Sequence, residues 1–291
     1  MIERVPGRVG VRSKALVSDG ALDCEVVVTR AGAHAMLDRI TGELMHPVVG
    51  PLVESASLYV QPSRLAERLR RPAPAPLVLF DVGLGAGSNA LAAWQVSETL
   101  DATDRRLEIV SFDRSLEALR LASSPAHAAA FGFKGDAVNA ARALAERHHY
   151  ETARGAWRVR LGNLPDALAH EPAQCADVVY WDPFSPRANP VLWTVAAFAA
   201  LRRVCRDGAT VHTYSRATAT RSALLLAGFA VGFGAITAGD KPTTIAAVNL
   251  RDVEQPLDRR WLQRLTRSSA PLPTDAPADA LLQISSLPQF A

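Results

Sequence analysis

Lysine and cysteine are both scarce in this chain of 291 residues. Only three of its 32 basic residues are lysines, so arginine carries almost all of the positive charge. The formal net charge of +3 tolerates a polyanionic partner without requiring one. The three cysteines, Cys24, Cys175 and Cys205, lie far apart and form no Cys-x-x-Cys pair. We therefore interpret them as apolar thiols and predict neither a metal site nor a disulfide framework.

Long apolar runs are also missing. No stretch of 18 consecutive apolar residues occurs, so no transmembrane helix is predicted. The first residues, MIERVPGRVGVRSK, are basic, but the apolar segment of a secretory signal does not follow them. With 48% hydrophobic and 21% charged residues, the chain is expected to form a sizeable packed core. These features predict a cytoplasmic protein without membrane contact, and they leave the oligomeric state open.

From Leu77 onward, short apolar runs alternate with segments of helical spacing. The runs typical of buried strands are LVLFDVG, RLEIVSFD, AWRVRLGN, ADVVYWD and GATVHTYS. The helical segments are SNALAAWQVSETL, SLEALRLA, GDAVNAARALAERHHYET, TVAAFAALRRVC and TRSALLLAGF. Such alternation is typical of βαβ units, so we predict a doubly wound α/β fold around a parallel sheet. FAVGFGAI and TTIAAVNL predict an antiparallel pair that ends the sheet.

The regions on either side have a different pattern. CEVVVTRAGAHAMLDRITGELMHP predicts a small antiparallel β unit, and PSRLAERLRR predicts a short helix. LDRRWLQRLTR predicts a basic helix in the C-terminal tail. We therefore expect an N-terminal extension over residues 1–71, a central domain over residues 72–250 and a tail over residues 251–291.

The first strand of the alternating region ends in a glycine loop, FDVGLGAGSN. Gly83, Gly85 and Gly87 follow Asp81 in the pattern acidic-x-G-x-G-x-G, which resembles an S-adenosylmethionine site. A dinucleotide site requires G-x-G-x-x-G, but Ser88 stands where the third glycine should be. Loop and helix N–H groups can bind the carboxylate of the cofactor while Asp81 faces its ammonium group. The alternative is a purely structural tight turn.

The next two predicted strands also end in candidate cofactor residues. Asp113 ends the second strand, where its carboxylate can accept hydrogen bonds from both ribose hydroxyls. Its alternative role is to cap the following helix. Gly162 and Asn163 end the third strand, where they can meet an adenine edge. We predict that all three residues bind the cofactor.

The fourth predicted strand ends in Asp182, and Pro183 and Phe184 follow it. This sequence is close to the Asp/Asn-Pro-Pro-aromatic loop of enzymes that methylate amines. The Asp182 carboxylate and the Pro183 carbonyl can accept hydrogen bonds from an amine and orient its lone pair. Phe184 can stack on a ring or stabilise passing positive charge. We predict that these three residues are catalytic. The alternative is that Asp182 caps the helix beginning near Thr194 and that the aromatic residues belong to the core.

Three segments, GLGAGSNALAAWQ, DPFSPRANPVLWT and GATVHTYSRATATRSALLLAGF, resemble the methyltransferase domain of the bifunctional tRNA 5-methylaminomethyl-2-thiouridine biosynthesis protein MnmC. That family shows a G-x-G-x-G-x-N loop, a D-x-F-x-P-x-x-N-P-x-x-W motif and a G-A-T-x-x-T strand. The resemblance extends over about residues 27–250. An upstream segment, LMHPVVGPLVESASLYV, matches the family at His46, Glu54, Ser55 and Val60 and departs from it at Met45 and Pro47.

The resemblance implies a Rossmann-like, S-adenosylmethionine-dependent methyltransferase fold. It implies that the substrate is the aminomethyl group on the wobble uridine of certain tRNAs, and that this chain is a stand-alone form without the flavin oxidase domain. It places Tyr59 and Asn89 in the cofactor site. It also implies that Glu54, Asn189 and Trp193 border or bind the substrate.

Other functions stay open on the sequence. An aminopropyltransferase like the spermidine synthases also joins an N-terminal β unit to this fold, and it should show an acidic pocket. A small-amine methyltransferase is a related alternative. A catalytically silent RNA-binding protein is disfavoured, because such a protein has no need of Asp81, Asp113 and Asp182 together.

Two arginine clusters are candidate RNA contacts, although a run of charges is usually a solvated face. Their members are Arg64, Arg68, Arg70 and Arg71, and Arg259, Arg260, Arg264 and Arg267. His148 and His149 are predicted to lie side by side on a helix, where they cannot face one metal ion together.

Overall fold

The computed structural model describes residues 23–30, 32–45, 50–101, 103–236 and 241–291. Within them lies an eight-stranded sheet with the spatial order β10-β11-β9-β8-β4-β5-β7-β6. Its strands are β4 (Leu77–Val82), β5 (Leu107–Asp113), β6 (His149–Glu151), β7 (Gly155–Leu161), β8 (Ala176–Trp181), β9 (Cys205–Thr213), β10 (Ala230–Ile236) and β11 (Pro242–Ala247). A separate antiparallel sheet contains β1 (Cys24–Val28), β2 (His34–Asp38) and β3 (Leu44–Met45).

Helices cover both faces of the large sheet. They are α1 (Pro51–Ser55), α2 (Leu65–Arg70), α3 (Ser88–Glu98), α4 (Glu117–Ala122), α5 (Asp136–Arg147), α6 (Asp166–Ala169), α7 (Val195–Val204), α8 (Thr218–Leu226), α9 (Arg259–Leu265) and α10 (Ala280–Ser285). A π-helix over Ala56–Val60 continues α1. In the parts of the chain that the structure describes, no helix is long and apolar enough to cross a bilayer.

The central strand β4 is buried along its whole length, as its continuous apolar run predicts. Leu77 and Leu79 point to one face and pack with α3, α4 and α5. Val78 and Phe80 point to the other face and pack with α7 and α8. β4 pairs in parallel with β5 on one side and with β8 on the other, so the direction in which successive strands are added reverses at β4. The carboxyl ends of these three strands therefore border the crevice in which doubly wound folds bind ligands. The predicted doubly wound α/β fold is confirmed, together with its antiparallel end.

The N-terminal sheet and the tail pack against the same two cores. The backbone N–H of Cys24 in β1 donates to Glu117 in α4 at 3.1 Å. On the opposite face, Trp261 of α9 stacks on Phe290, with 6.0 Å between ring centroids. The predicted boundaries near residues 71 and 250 stay predictions.

The predicted helix over residues 135–152 is too long. α5 ends at Arg147, and His148 has φ 60°, a left-handed conformation that a helix interior does not contain. His149 then begins β6, which pairs with β7. The prediction that the two histidines share a helix is therefore wrong.

The first arginine cluster lies at the amino-terminal edge of the sheet, opposite the crevice. The guanidinium of Arg68 in α2 donates to the backbone oxygen of Asp177 at 3.0 Å and to Thr210 at 3.1 Å. Asp177 is near the start of β8, and the backbone of Leu69 accepts from Arg105, just before β5. Arg68 therefore ties α2 to the sheet, and it is not available to an RNA phosphate as the sequence suggested.

Candidate active site

A cavity of about 700 Å³ opens at the carboxyl ends of the parallel strands. This volume lies within the range of small-molecule sites. Its walls come from the loops that follow β4, β5, β7 and β8, and from the end of the N-terminal sheet. The sequence-predicted residues that line it are Glu54, Gly83, Gly85, Asp113, Gly162, Asn163, Asp182, Pro183, Phe184 and Asn189. Residues from four predicted strand ends thus converge on one space.

The glycine loop after β4 needs backbone angles that side chains disfavour. Gly83, Gly85 and Gly87 have φ angles of 88°, 51° and 85°, all in the left-handed region. A methyl group on Gly83 would lie 2.6 Å from the backbone oxygen of Asp182, so the loop and the Asp182 backbone are in close contact. Gly85 faces the cavity below Met45, whereas Gly87 caps α3 and packs on Leu119. Gly87 is therefore a packing position and not a wall of the cavity.

Asp113 fixes the glycine loop from the neighbouring strand. One carboxylate oxygen accepts from the backbone N–H of Gly85 at 2.8 Å. The other accepts from the backbone N–H groups of Arg114 at 2.6 Å and Ser115 at 3.3 Å. Because α4 begins only at Glu117, Asp113 is not the cap of that helix. Burial raises the pKa of the Asp113 carboxyl, against the opposing effect of these N–H groups.

Two donors hold the carboxylate of Asp182. The hydroxyl of Tyr59 donates to Oδ1 at 2.6 Å, and the side-chain amide of Asn89 donates to Oδ2 at 2.7 Å. Tyr59 is completely buried and Asn89 is buried at the first turn of α3. Neither residue lines the cavity. Tyr59 and Asn89 were predicted to contact the cofactor, but in the structure their side chains contact Asp182. The N-cap of α7 is Thr194, which excludes the helix-capping alternative for Asp182.

Aromatic side chains hold the backbone that follows Asp182. The hydroxyl of Tyr214 donates to the carbonyl of Pro183 at 3.0 Å, and the indole N–H of Trp193 donates to the carbonyl of Phe184 at 2.9 Å. Trp193 is buried behind the loop and does not line the cavity. Its predicted contact with substrate is therefore replaced by a contact with the backbone of the loop. Tyr214 lines the cavity but was not predicted as a site residue. The segment GATVHTYS, which contains it, indicated only a strand.

A glutamate of the N-terminal sheet reaches the same loop. Glu43 accepts from the backbone N–H of Ser185 at 2.9 Å and from its hydroxyl. The guanidinium of Arg187 lies 3.9 Å from the same carboxylate. Glu43 precedes β3 and lines the cavity. This residue was not predicted, and no local motif marks it. His46, which matches the family's upstream segment, lies outside the described residues.

Comparisons with known proteins agree with this geometry. A family model for S-adenosyl-L-methionine-dependent methyltransferases matches residues 133–249. The bifunctional protein MnmC for tRNA 5-methylaminomethyl-2-thiouridine biosynthesis of Burkholderia vietnamiensis is 32% identical over 197 residues, which are 65% of this chain and 30% of that protein. The crystal structure of MnmC2 from Aquifex aeolicus superimposes with a TM-score of 0.67 at 25% identity, over 92% of this chain and 87% of that one.

The chain is an S-adenosyl-L-methionine-dependent methyltransferase. A second MnmC, from Methylibium petroleiphilum, is 28% identical over 225 residues, or 76% of this chain and 34% of that protein. The methyltransferase thus spans about a third of the length of these curated relatives. The cofactor predicted from the glycine loop is confirmed.

The polar groups near the glycine loop of the methyltransferase fit this cofactor. Three buried side-chain oxygens next to the glycine loop have no hydrogen-bond partner among the described residues: Oδ1 of Asp81, Oγ of Ser88 and Oδ1 of Asn89. A carboxylate oxygen suits an ammonium group, and the N–H groups that begin α3 suit a carboxylate. Asp113, at the end of β5, lines the cavity, and its contact with the ribose hydroxyls stays a prediction. The described residues contain no cluster of three or more potential metal ligands.

Asp81 lies deeper than predicted. It is completely buried in β4 and does not line the cavity; its Oδ2 accepts from the Ser111 hydroxyl at 2.7 Å. Burial raises the pKa of the Asp81 carboxyl to about 8, and the charges of Asp182 and Asp113 act in the same direction. Without a bound cation, Asp81 is therefore largely protonated at neutral pH.

We expect the ligand-free methyltransferase to lose stability as the pH rises from about 4, the ordinary value of an aspartate, to about 8. The folded pKa of Asp81 is raised, so its contribution is complete below the unfolded pKa and disappears as the pH passes the folded pKa. The loss in the free energy of unfolding should be on the order of a few kcal/mol. Denaturant titrations between pH 4 and pH 9 measure it. Asp81→Asn, which mimics the neutral acid, should flatten the curve, and equal slopes in both proteins would contradict this assignment.

Proposed function

We propose that this methyltransferase transfers a methyl group to the amine of an aminomethyl substituent on the wobble uridine of tRNA. The observation that carries the proposal is the carboxylate of Asp182, held by Tyr59 and Asn89 at the edge of the cavity. The matched MnmC relatives support the substrate, because their name describes biosynthesis of a methylaminomethyl uridine in tRNA.

The chemistry required of the chain is to prepare an amine. An aminomethyl group is largely protonated at neutral pH and then has no lone pair. Asp182 can bind the ammonium, accept one proton and keep a hydrogen bond to a remaining N–H. Pro183 also lines the cavity. Its carbonyl already accepts from the hydroxyl of Tyr214, and it can accept a second hydrogen bond from an N–H of the amine. Together these acceptors orient the freed lone pair.

When bound, S-adenosyl-L-methionine supplies a methyl group on a positively charged sulfur. The cofactor would supply this methyl group to the freed lone pair and leave as a neutral thioether, and Asp182 would hold the proton of the ammonium until solvent removes it. Phe184 lines the cavity beside these groups and offers a ring face to a base or to the migrating charge. Glu43 holds the loop that carries Phe184 by binding Ser185.

A tRNA anticodon loop is a suitable partner for such a cavity. Its bases are unpaired, so one can be turned outward and stacked against protein side chains. Phe184 and Val191 both line the cavity, and Val191 is 55% exposed, which leaves an apolar surface at its mouth. This substrate places the proposed reaction in the cytoplasm.

The direct test is methyl transfer from labelled cofactor to tRNA from a strain in which this gene is deleted. Nucleoside mass spectrometry should detect one added methyl group on the aminomethyl uridine. Absence of transfer to any tRNA from the deletion strain would refute the proposed substrate.

Arg187 is an exposed cation close to the cavity that can meet a phosphate near the modified base. It belongs to the loop after Asp182, and its side chain is 82% exposed. We expect Arg187→Gln to raise KM for tRNA and to reduce the slope of log affinity against log salt by about 1. The affinity for S-adenosylhomocysteine should not change. Filter binding across a salt series measures the slope.

Arg71→Gln is the matched control. It also removes the charge of an exposed arginine, but from the end of α2 at the opposite edge of the sheet. If both variants weaken tRNA binding equally, the effect reflects net charge and the assignment of Arg187 is wrong. This control also tests the arginine cluster that the sequence suggested.

A small amine is the second candidate substrate, because the cavity is acidic. Glu43, Glu54, Asp166 and Asp182 all line it, and carboxylates attract a free ammonium ion. The same labelled-cofactor assay with a polyamine in place of tRNA distinguishes the two. Transfer to the polyamine, with none to tRNA, would favour this alternative.

A further inference from the structure

We infer that Tyr59 and Asn89 are positioning residues that fix the orientation of the Asp182 carboxylate for proton transfer from the amine. This inference rests on the proposed function. Together the three residues form a buried clamp, defined here as Tyr59, Asn89 and Asp182. Its members come from the π-helix of the N-terminal extension, from α3 and from the loop after β8.

Each carboxylate oxygen of the clamp has one donor from the protein interior. Oδ1 receives the hydroxyl of Tyr59 at 2.6 Å and Oδ2 receives the amide of Asn89 at 2.7 Å. Both distances are those of good hydrogen bonds to a charged acceptor. A carboxylate has about four lone-pair directions, so these two donors alone do not saturate it. The carboxylate plane is therefore set before an amine arrives.

The hydroxyl of Tyr59 keeps its proton and donates it to Asp182. Its ring is completely buried and lies 5.3 Å from the ring of Tyr180. Burial raises the pKa of Tyr59 far above its ordinary value, and the adjacent charge of Asp182 adds to the shift. Tyr59 therefore holds Asp182 and does not exchange a proton with the amine.

Asn89 connects the clamp to the cofactor end of the site. It stands at the second position of α3, directly after the glycine loop, and its Oδ1 is buried without a partner among the described residues. The backbone of Asp182 packs against Gly83 of the same loop. The carboxylate that receives the proton and the loop that binds the cofactor thus share one rigid support. This arrangement favours a fixed distance between the amine and the transferred methyl group.

Tyr59→Phe tests the clamp with almost no change in volume. We expect kcat to fall by about 10- to 100-fold, which corresponds to losing a hydrogen bond to a charged group. KM for tRNA and the affinity for S-adenosylhomocysteine should stay within about twofold, because binding does not require a fixed carboxylate plane. Single-turnover methyl transfer and calorimetry measure these quantities.

Tyr180→Phe is the matched control. Tyr180 is also completely buried, and it lies beside Tyr59. Its hydroxyl forms a hydrogen bond of 3.0 Å with the hydroxyl of Ser63 instead of with Asp182. Both variants remove one buried hydroxyl, so both should lower Tm by a similar amount. Only Tyr59→Phe should lower kcat. Equal losses of kcat would show that the effect is general destabilisation and would overturn the inference.

A crystal structure of the Tyr59→Phe variant separates this inference from the proposed substrate. We expect the Asp182 carboxylate to rotate or to adopt more than one orientation once Oδ1 loses its donor. An unchanged single orientation would overturn the clamp, whatever the substrate is. If the carboxylate moves but wild-type enzyme methylates no tRNA, the clamp is supported and the proposed substrate is refuted.

Discussion

Asp182→Ala is expected to lower kcat for methyl transfer by about 10²- to 10⁴-fold, the range of general acid–base catalysis. The variant lacks the group that accepts the proton of the ammonium, so the amine reacts only through its small neutral fraction. The affinity for S-adenosylhomocysteine should change little, because Asp113 and the glycine loop remain in place. Single-turnover transfer from labelled cofactor across a pH series measures the loss.

Asp182→Ala is also expected to lower the stability of the folded protein. Removing the carboxylate leaves the hydroxyl of Tyr59 and the amide of Asn89 without their acceptor. Buried donors without partners cost about 1–3 kcal/mol each, so Tm should fall, and circular dichroism must confirm a folded protein. Asp182→Asn preserves the shape and one acceptor oxygen, and its kcat should lie between wild type and Asp182→Ala. A folded Asp182→Ala enzyme that retains more than about a tenth of the wild-type rate would exclude the general-base role.

Gly83→Ala is expected to abolish both cofactor binding and activity. The added methyl group would lie 2.6 Å from the backbone oxygen of Asp182 and 2.9 Å from its carbonyl carbon, and these are backbone atoms that cannot rotate away. The glycine loop must then separate from the loop after β8. The left-handed φ of 88° adds a backbone cost of about 1–3 kcal/mol. Calorimetry with S-adenosylhomocysteine and thermal denaturation measure the two effects.

Gly228→Ala separates the contact from the backbone strain. Gly228 has nearly the same φ, 86°, but a methyl group there would meet nothing within 4 Å. This control should lower Tm by the conformational cost alone and should bind the cofactor as wild type does. If Gly83→Ala binds S-adenosylhomocysteine as tightly as Gly228→Ala, the contact between the two loops is not needed for the site.

The sheet was predictable because its signal is local. β4 is a continuous apolar run followed by glycines, and this pattern marks a strand buried on both faces whatever the rest of the chain does. The end of α5 was not predictable in the same way. His148 ends the helix with a positive φ that is uncommon for residues other than glycine, and no glycine or proline marks the position.

The types of residue in the site were predictable, but their pairings were not. Asp182, Tyr59 and Asn89 were all selected from the sequence, yet the hydrogen bond from Tyr59 to Asp182 joins residues 123 positions apart. The bond from Ser185 to Glu43 spans 142 positions. Contacts at such separations depend on how the N-terminal extension packs on the sheet, and periodicity carries no information about that packing.

The contacts of Glu43 and Tyr59 limit which segments of this enzyme can be replaced by those of another protein. Both residues precede the first strand of the large sheet, and both hold the segment from Asp182 to Ser185. Consider a hybrid enzyme that joins this glycine loop and sheet to the N-terminal region of another protein. It would keep the cofactor site, but it would lose the hydrogen bonds that hold the loop from Asp182 to Ser185. The smallest transplantable catalytic unit therefore begins at the N-terminal β-sheet.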